Sequence, residues 1–433
     1  MTDPTNVHEP VPQSAKLTAR EKKWIIYDVG NSAFAAAVHR RHPHLRQIAD
    51  AGGRQHRVRL GYAQTIASLV IALLMPLLGS IADVQGMKIK FFLGFFGTGV
   101  VTCCAMALPL TWLPFLVVYI LATIGLNGSL TFYDSMLIDA TCERAHGQGA
   151  SSHGYGWGYI GSTVPFIFCI ALIFGGPSLF DWSTVACTRA SFIITAIWWV
   201  AFTIPLLTSY RQVHYRATRD QLGSAVRGTF SELAGTFGKI VKNKPLWMFM
   251  IAFFFYIDAS TPSFHEHVVW ARSWASTPRS WSWRCSSRSS WRSLLHHLRQ
   301  AGRPVRLENH DYRGVVAYMC IVFFAAFFLR AALEFWILAI LVGMFQGGIQ
   351  ALSRSYYGKI IPKDHANEYY GFYDIFGKTA SIIGTFLVAT TTSLTGNASI
   401  GVLSIAILLA VALVFLLLQK DPTKGSTEAA TVD

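Results

Sequence analysis

Apolar residues in this chain fall into long runs, each close to the roughly 20 residues that carry a helix across a hydrocarbon core. The clear runs are Gly61 to Ala82, Phe91 to Leu108, Leu113 to Thr131, Gly154 to Phe174, Ala190 to Ser209, Leu246 to Phe264, Gly314 to Leu329, Leu333 to Leu352, Phe372 to Thr391 and Ile400 to Leu418. Another starts at Trp24 and stops near Val38. Lipid offers no partner to backbone N–H and C=O groups, so every run must satisfy its own, and helices are expected throughout. A membrane barrel would need alternating apolar and polar positions, which the runs lack. The expected fold class is an all-α membrane protein.

Composition narrows this further. With 52% hydrophobic and only 14% charged residues in a chain of 433, too little polar surface remains for an ordinary soluble protein. A net charge of +14 would suit nucleic acid, but its placement argues otherwise. Lys16, Arg20, Lys22 and Lys23 precede the first run, and Lys88 and Lys90 follow the second. Arg211, Arg216, Arg219, Arg227, Lys239, Lys242 and Lys244 fill the link before Leu246, whereas Pro109 to Trp112 and Ser393 to Ser399 carry no charge. Basic residues gather on the cytoplasmic side of membrane proteins, which places both termini and the central link there, in the plasma (inner) membrane. An even number of crossings follows. The seven cysteines show no disulfide or metal spacing, and Cys103 and Cys104 are adjacent within an apolar run. Neither metal nor cofactor is expected. FGKTA at Phe376 to Ala380 ends like a phosphate loop, but Gly371 lies one residue too far upstream and the segment is an apolar helix. With no Ser/His/Asp, HExxH or paired CxxC arrangement, the chain is not expected to be an enzyme.

One expected crossing is missing. From His265 to Arg313 the composition turns to Arg, Ser, Trp and His, as in WARSWASTPRSWSWRCSSRSSWRS. Three readings are open: an arginine/serine-rich RNA-binding insert, an ordinary loop, or translation in the wrong frame. The genetic code tests the third. With CGN arginine codons and TCN serine codons, AGY at Ser289 excepted, shifting Trp274 to Ser280 to the third codon base permits GIDSTIL, and Trp281 to Arg292 then permits VVALLVTQFVAF. From Leu294 the second-base frame permits CSIIFGKLAGRFGSK, so that a lost helix and a short basic loop return. Parity agrees, because about eleven spans would push Arg354, Lys359 and Lys363 outside, against the charge bias. A smaller patch at Val38 to Arg59 cuts the first helix short. A truncated helix 1 and a lost helix 8 are therefore expected.

The link after the second run reads GSIADVQGMKIK, in which Gly79, Asp83, Gly86 and Lys88 fit GxxxDxxGxK. The glycines allow a tight turn between close helices, Asp83 can cap or pair across an interface, and Lys88 holds the link in the cytoplasm. A plain polar hairpin would use similar residues. However, the restored GKLAGRFGSK repeats the spacing half a chain later, which implies duplication. WIIYD at Trp24 to Asp28 is echoed by FFYID at Phe254 to Asp258.

This pattern resembles the major facilitator superfamily, whose signature loop joins helices 2 and 3 and recurs between helices 8 and 9. YDVGNSAF at Tyr27 to Phe34, GYGWGYIG at Gly154 to Gly161, GGIQALSRSYYGKIIP at Gly347 to Pro362 and GFYDIFGKTASIIG at Gly371 to Gly384 look like one branch of it. That branch includes bacterial permeases of unassigned substrate and the fungal vacuolar amino-acid effluxers of autophagy. The resemblance implies the MFS fold, with about twelve helices in two six-helix bundles. Residues 1–23 would form a cytoplasmic tail, 24–209 the first bundle, 210–245 a basic linker, 246–418 the second bundle and 419–433 a second tail. It implies a monomeric secondary transporter of a small solute, with proton coupling and amino-acid solutes as further steps. The alternative is a receptor or scaffold that kept the fold without transport, or the product of a decayed gene.

Ionisable groups within spans are the candidate site, since the bilayer makes them costly without a function. Tyr27, Asp28 and Asn31 lie near the start of helix 1, with Asp28 and Asn31 on one face, and Asp258 holds the matching place in helix 7. As helices 1 and 7 face the cavity in the superfamily, these residues would bind solute or carry a proton; for Asp28, capping or pairing with a cytoplasmic lysine serves equally well. Gln350, Arg354, Tyr373, Asp374 and Lys378 gather on helices 10 and 11. There Arg354 and Lys378 would pair with carboxylates, or else snorkel to the surface. Tyr133, Asp134 and Asp139 close helix 4 and suggest a latch between the bundles, while Gly154, Gly156, Gly158 and Gly161 give helix 5 a smooth side.

Overall fold

The computed structural model describes residues 17–39, 53–141, 147–216, 233–257, 310–328 and 332–419. The first half comprises α1 (Ala19–His39), α2 (Gly53–Ala82), α3 (Met87–Ala105), α4 (Trp112–Thr141), α5 (Gly147–Leu179) and α6 (Thr184–Leu207). The second comprises α7 (Leu233–Lys242), α8 (Lys244–Ile257), α9 (His310–Phe327), α10 (Ala332–Ile360), α11 (Ala366–Thr395) and α12 (Ala398–Leu418), with α7 and α8 bent by 97° at their junction. No strand occurs among the described residues.

Local chemistry sets the ends. Gly86 adopts a left-handed φ of 74° to start α3, a conformation a side chain resists, and Gly396 does the same, at 64°, to stop α11. Ser183 accepts a hydrogen bond from the Ala186 amide and Asn397 one from the Ser399 amide, so that α6 and α12 begin on side-chain caps.

Several helices outrun their apolar windows. α2 starts at Gly53, α4 continues to Thr141, α10 reaches Ile360 and α11 begins at Ala366. The added turns of α4, α10 and α11 hold Asp134, Asp139, Arg354 and Glu368, polar residues that meet partners across the molecule rather than lipid. Six described helices, α2 to α6 and α12, are long and apolar enough to cross a membrane by composition alone, and the bent pair α7–α8 makes a seventh if taken as one span. α1 is 21 residues long, about 31 Å at 1.5 Å per residue, because Ala19 to Lys23 join it ahead of the apolar run. Asp258, the stretch from Trp270 to Arg303 where poor packing is expected, and residues 40–52 lie outside the described residues.

Each half has its own core. Trp24, Phe34, Phe92, Leu126 and Trp199 pack in the first, and Phe249, Tyr318, Tyr357 and Leu409 in the second. Between them α2 and α4 lie on α11, and α5 lies on α10. The α2–α11 approach is close enough that a Cβ on Gly79 would sit 2.6 Å from the Asn367 carbonyl oxygen, and one on Gly371 2.8 Å from the backbone of Pro76. Gly154, Gly158 and Gly161 let α5 close on α1 in the same way, whereas a Cβ on Gly156 meets open space and Gly156 takes no part in that smooth side. The apolar window of α5 is 22% buried against 44% for that of α2. In a duplicated bundle the counterpart of the α2–α11 contact is helix 8 on α5, and helix 8 falls in 258–309, outside the described residues.

Candidate functional site

Arg354 of α10 is the centre of the interface. It is 2% exposed, so its guanidinium does not snorkel to the surface, and a buried charge in a membrane protein requires close partners. Nη1 donates to Asp134 Oδ1 at 2.8 Å, Nε donates to Ser151 Oγ at 3.0 Å, and Nη2 lies 3.4 Å from the Ser151 carbonyl and 3.5 Å from Asp28 Oδ2. Three aromatic faces enclose the same group: Tyr155 at 4.4 Å, Trp24 at 4.8 Å and Tyr133 at 5.6 Å. All of these partners belong to α1, α4 and α5 of the first half. Asn31 donates to Asp28 Oδ1 at 3.1 Å one turn along α1, which fixes that carboxylate. Asp28 therefore pairs with Arg354, not with a lysine near its helix end.

Other polar contacts cross between the halves nearby. Tyr159 donates to Gln350 at 3.4 Å. Asp374 of α11 accepts from Lys378 one turn on and from Thr131 of α4. Tyr373 instead stacks on Phe253 at 4.1 Å within the second half's own aromatic cluster. Tyr27, grouped with Asp28 by sequence, is fully buried in the first-half core, with its hydroxyl on Ser129 at 3.2 Å and its ring on Tyr133. Successive positions of a helix point apart by about 100°, so the two neighbours cannot share a surface.

The GxxxDxxGxK loop closes one end of this interface. Asp83 Oδ1 accepts from the Asn367 amide at 3.0 Å and its side chain at 2.8 Å, and Oδ2 accepts from the Glu368 amide at 3.1 Å. These amides are the second and third of α11, whose own N-cap residue, His365, makes no side-chain cap bond. Asp83 therefore caps a helix of the other half. Ser135 donates to the Asn367 side chain beside it. Burial pushes the Asp83 carboxyl up to about 7, against the pull of Lys88 and the amide donors.

Comparison with known proteins accords with this architecture. The family model for the vacuole effluxer Atg22 like proteins matches residues 138–273 and 313–430. An MFS-type transporter of Bacillus subtilis (strain 168), YxiO, is 37% identical over 427 residues, covering 94% of this chain and 96% of that protein. The chain belongs to the Atg22-like family of the major facilitator superfamily. Autophagy-related protein 22 of Coccidioides immitis is 24% identical over 311 residues, and the chain spans about half the length (49%) of that fungal relative. Among solved structures, the MFS transporter FucP in its outward conformation superposes with a TM-score of 0.68 at 13% identity, covering 93% of this chain and 100% of that one. The proton:xylose symporter XylE superposes at 0.60 and 10% identity, covering 92% of this chain and 94% of that one. The protein is a multi-pass membrane transporter of small solutes, and not an enzyme.

Within this superfamily framework Lys88 departs from its sequence expectation. It does not hold the loop in water: it is fully buried and donates to Asp139 Oδ2 at 2.9 Å. Asp139 also accepts from Tyr210 at 2.7 Å and from the His214 amide at 3.0 Å, pinning the start of the central link to α4. Asp139 thus acts inside the first half, and Asp134 is the residue that reaches across. Asp139→Ala would leave a buried ammonium without its carboxylate, and is expected to cost about 3–5 kcal/mol in reversible unfolding of the detergent-solubilised protein. Unchanged stability would show that Lys88 finds another partner.

The transporter also holds a group of potential metal ligands among the described residues. Asp83, His365 and Glu368 place ligand atoms within 4.8 Å of one another. The Asp83 oxygens are already taken by three donors at a helix N-terminus, whose dipole opposes a cation, so the group fits a cap better than a metal. Trp24, Ser151, Tyr155 and Asn367 were not among the residues singled out from sequence. Tyr155 and Ser151 flank the glycine repeat of α5, and that periodicity was the available signal.

Proposed function

We propose that this transporter works by alternating access, its halves, 24–209 and 246–418, rocking about a central site as a monomer. The observation that carries the reading is Arg354: a guanidinium from the second half whose polar partners all lie in the first. Parting of the halves at this end must break that cluster, which makes it a gate. The basic-residue bias supports placing this end and both termini in the cytoplasm of a cell's plasma membrane. The contacts of Asp83 and Arg354 then keep the cytoplasmic end closed, in keeping with the outward conformation of FucP.

Asp28 and Asp134 support proton coupling, because two carboxylates that lose one guanidinium on opening favour uptake of a proton. Asp258 remains a second candidate by its repeat position. Amino acids are the proposed solutes, as the resemblance to vacuolar amino-acid effluxers suggests. In proteoliposomes, an imposed pH gradient is expected to speed leucine uptake several-fold. Asp28→Asn should remove that dependence while retaining leucine counterflow. Uptake indifferent to the gradient in the unmodified protein would rule out proton coupling.

The interval 274–312, between the two family-matched segments, falls within the stretch expected to be out of frame. That gap also favours a second reading for this chain, an MFS-fold protein that no longer transports. Counterflow of any solute would exclude it.

A further inference from the structure

Among the described residues, the groups that hydrogen-bond or stack on the Arg354 guanidinium are supplied by the first half. Two carboxylates, Asp28 and Asp134, the Ser151 hydroxyl and carbonyl, and the rings of Trp24, Tyr133 and Tyr155 form a box around one planar cation. The side of the box formed by Trp24, Tyr133 and Asp28 is built independently of Arg354. Trp24 Nε1 donates to the Tyr133 carbonyl at 3.2 Å, the Tyr133 hydroxyl donates to the Trp24 carbonyl at 3.1 Å, and the two rings stack at 4.5 Å. Asn31 holds Asp28, and Gly154 lets α5 approach until a Cβ there would sit 2.4 Å from Asp28 Oδ2. These are contacts within the first half and keep Trp24, Tyr133 and Asp28 in place when α10 withdraws, while the Ser151 hydroxyl gives up its bond to the Ala351 carbonyl of α10.

A box of two carboxylates and three π faces binds organic cations by ion pairing, hydrogen bonding and cation–π attraction together. Emptied of Arg354, it presents two negative charges with no counter-charge inside the membrane, an arrangement that demands a replacement cation. We infer that the box is a solute site for guanidinium or primary ammonium groups, which Arg354 occupies as a tethered stand-in while the cytoplasmic end is closed. Solute cation and Arg354 then exclude one another, and binding on the cytoplasmic side holds the gate open. This rests on the alternating-access reading and adds to it a chemical class: solutes of net positive charge bearing a guanidinium or a primary ammonium with no carboxylate beside it, unlike zwitterionic leucine.

Two measurements test it on the full chain. In the first, proteoliposomes loaded with agmatine take up labelled agmatine by counterflow, with leucine counterflow run in parallel. Agmatine exchange at least about tenfold above protein-free vesicles, lost in Asp134→Asn, is expected; tenfold corresponds to about 1.4 kcal/mol, within reach of one charge-assisted contact. Exchange of leucine without agmatine would overturn the cation assignment and leave transport intact. Exchange of neither would overturn the transport reading, and the second measurement then decides the box by itself.

In the second, Arg354→Ala and Arg354→Lys are purified in detergent and melted with methylguanidinium or with its neutral isostere methylurea. Methylguanidinium is expected to raise the melting temperature of Arg354→Ala by several degrees, since a ligand bound only by the folded state stabilises it. The triple variant Asp28→Asn/Asp134→Asn/Arg354→Ala should not respond. Arg354→Lys, which keeps a tethered cation, should respond less than Arg354→Ala. No shift in Arg354→Ala, or an equal one in the triple variant, would overturn the inference.

Discussion

Replacing Asp83 with alanine is expected to swing the transporter open at the end where the α2–α3 loop meets α11. Asp83 supplies acceptors to the second and third amides of α11 and to the Asn367 side chain, all three across the divide between halves. Loss of an N-cap acceptor costs about 0.5–2 kcal/mol. Loss of a negative charge at a helix N-terminus costs about 0.3–1 kcal/mol more. A combined cost of about 0.8–3 kcal/mol, borne only by the closed state, shifts the closed-to-open ratio by roughly 4- to 150-fold. Spin labels at Gln85 and Asp364, exposed positions on opposite halves, read the change as a longer, broader distance distribution. Asp83→Asn should open less than Asp83→Ala, because asparagine keeps one cap acceptor while losing the charge and the second acceptor. An unchanged distribution in Asp83→Ala would show that the Gly79–Gly371 contact closes this end unaided.

Restoring the reading frame across His265 to Arg313 is expected to have the larger effect on transport. The shifted frames permit an apolar helix followed by a Gly-rich basic loop, the counterparts by duplication of α2 and its GxxxDxxGxK loop. Such a helix would lie on α5 as α2 lies on α11, and α5 is the helix whose apolar window is half as buried, at 22% against 44%. Burying an apolar helix face is worth about 25 cal/mol per Å² where water is displaced, and packing against protein adds van der Waals contact where lipid is. The corrected gene product should unfold at a higher temperature in detergent and exchange leucine or agmatine at least about tenfold faster than the present chain. Resequencing the locus is the first step. A confirmed unbroken frame, with equal activity of both chains, would refute the frame-shift reading.

The fold was largely legible in the sequence, because lipid leaves helices as the only solution for each apolar run. The site was legible in part. Asp28, Arg354 and Asp134 were identifiable as ionisable groups where ions are costly, but nothing in their spacing says that they meet. They stand 106 and 220 positions apart along the chain, in three helices from two halves. The partner of Lys88 is hidden from the sequence for the same reason. A basic residue in a loop looks solvated until Asp139, 51 positions away, is found beside it. Tyr27 adjoins Asp28 in sequence, yet its ring turns into the core.

By itself, then, the sequence determined the membrane environment, the helices, the duplication and the residues whose charge had to be accounted for. These follow from hydrophobicity, periodicity and the cost of an unpaired ion, which act locally along the chain. The tertiary structure alone decided that Asp83 caps a helix of the other half and that Arg354 is held wholly by the first. Those pairings depend on how two independently cored bundles lean on one another, a matter of non-local packing that no spacing along a single chain encodes.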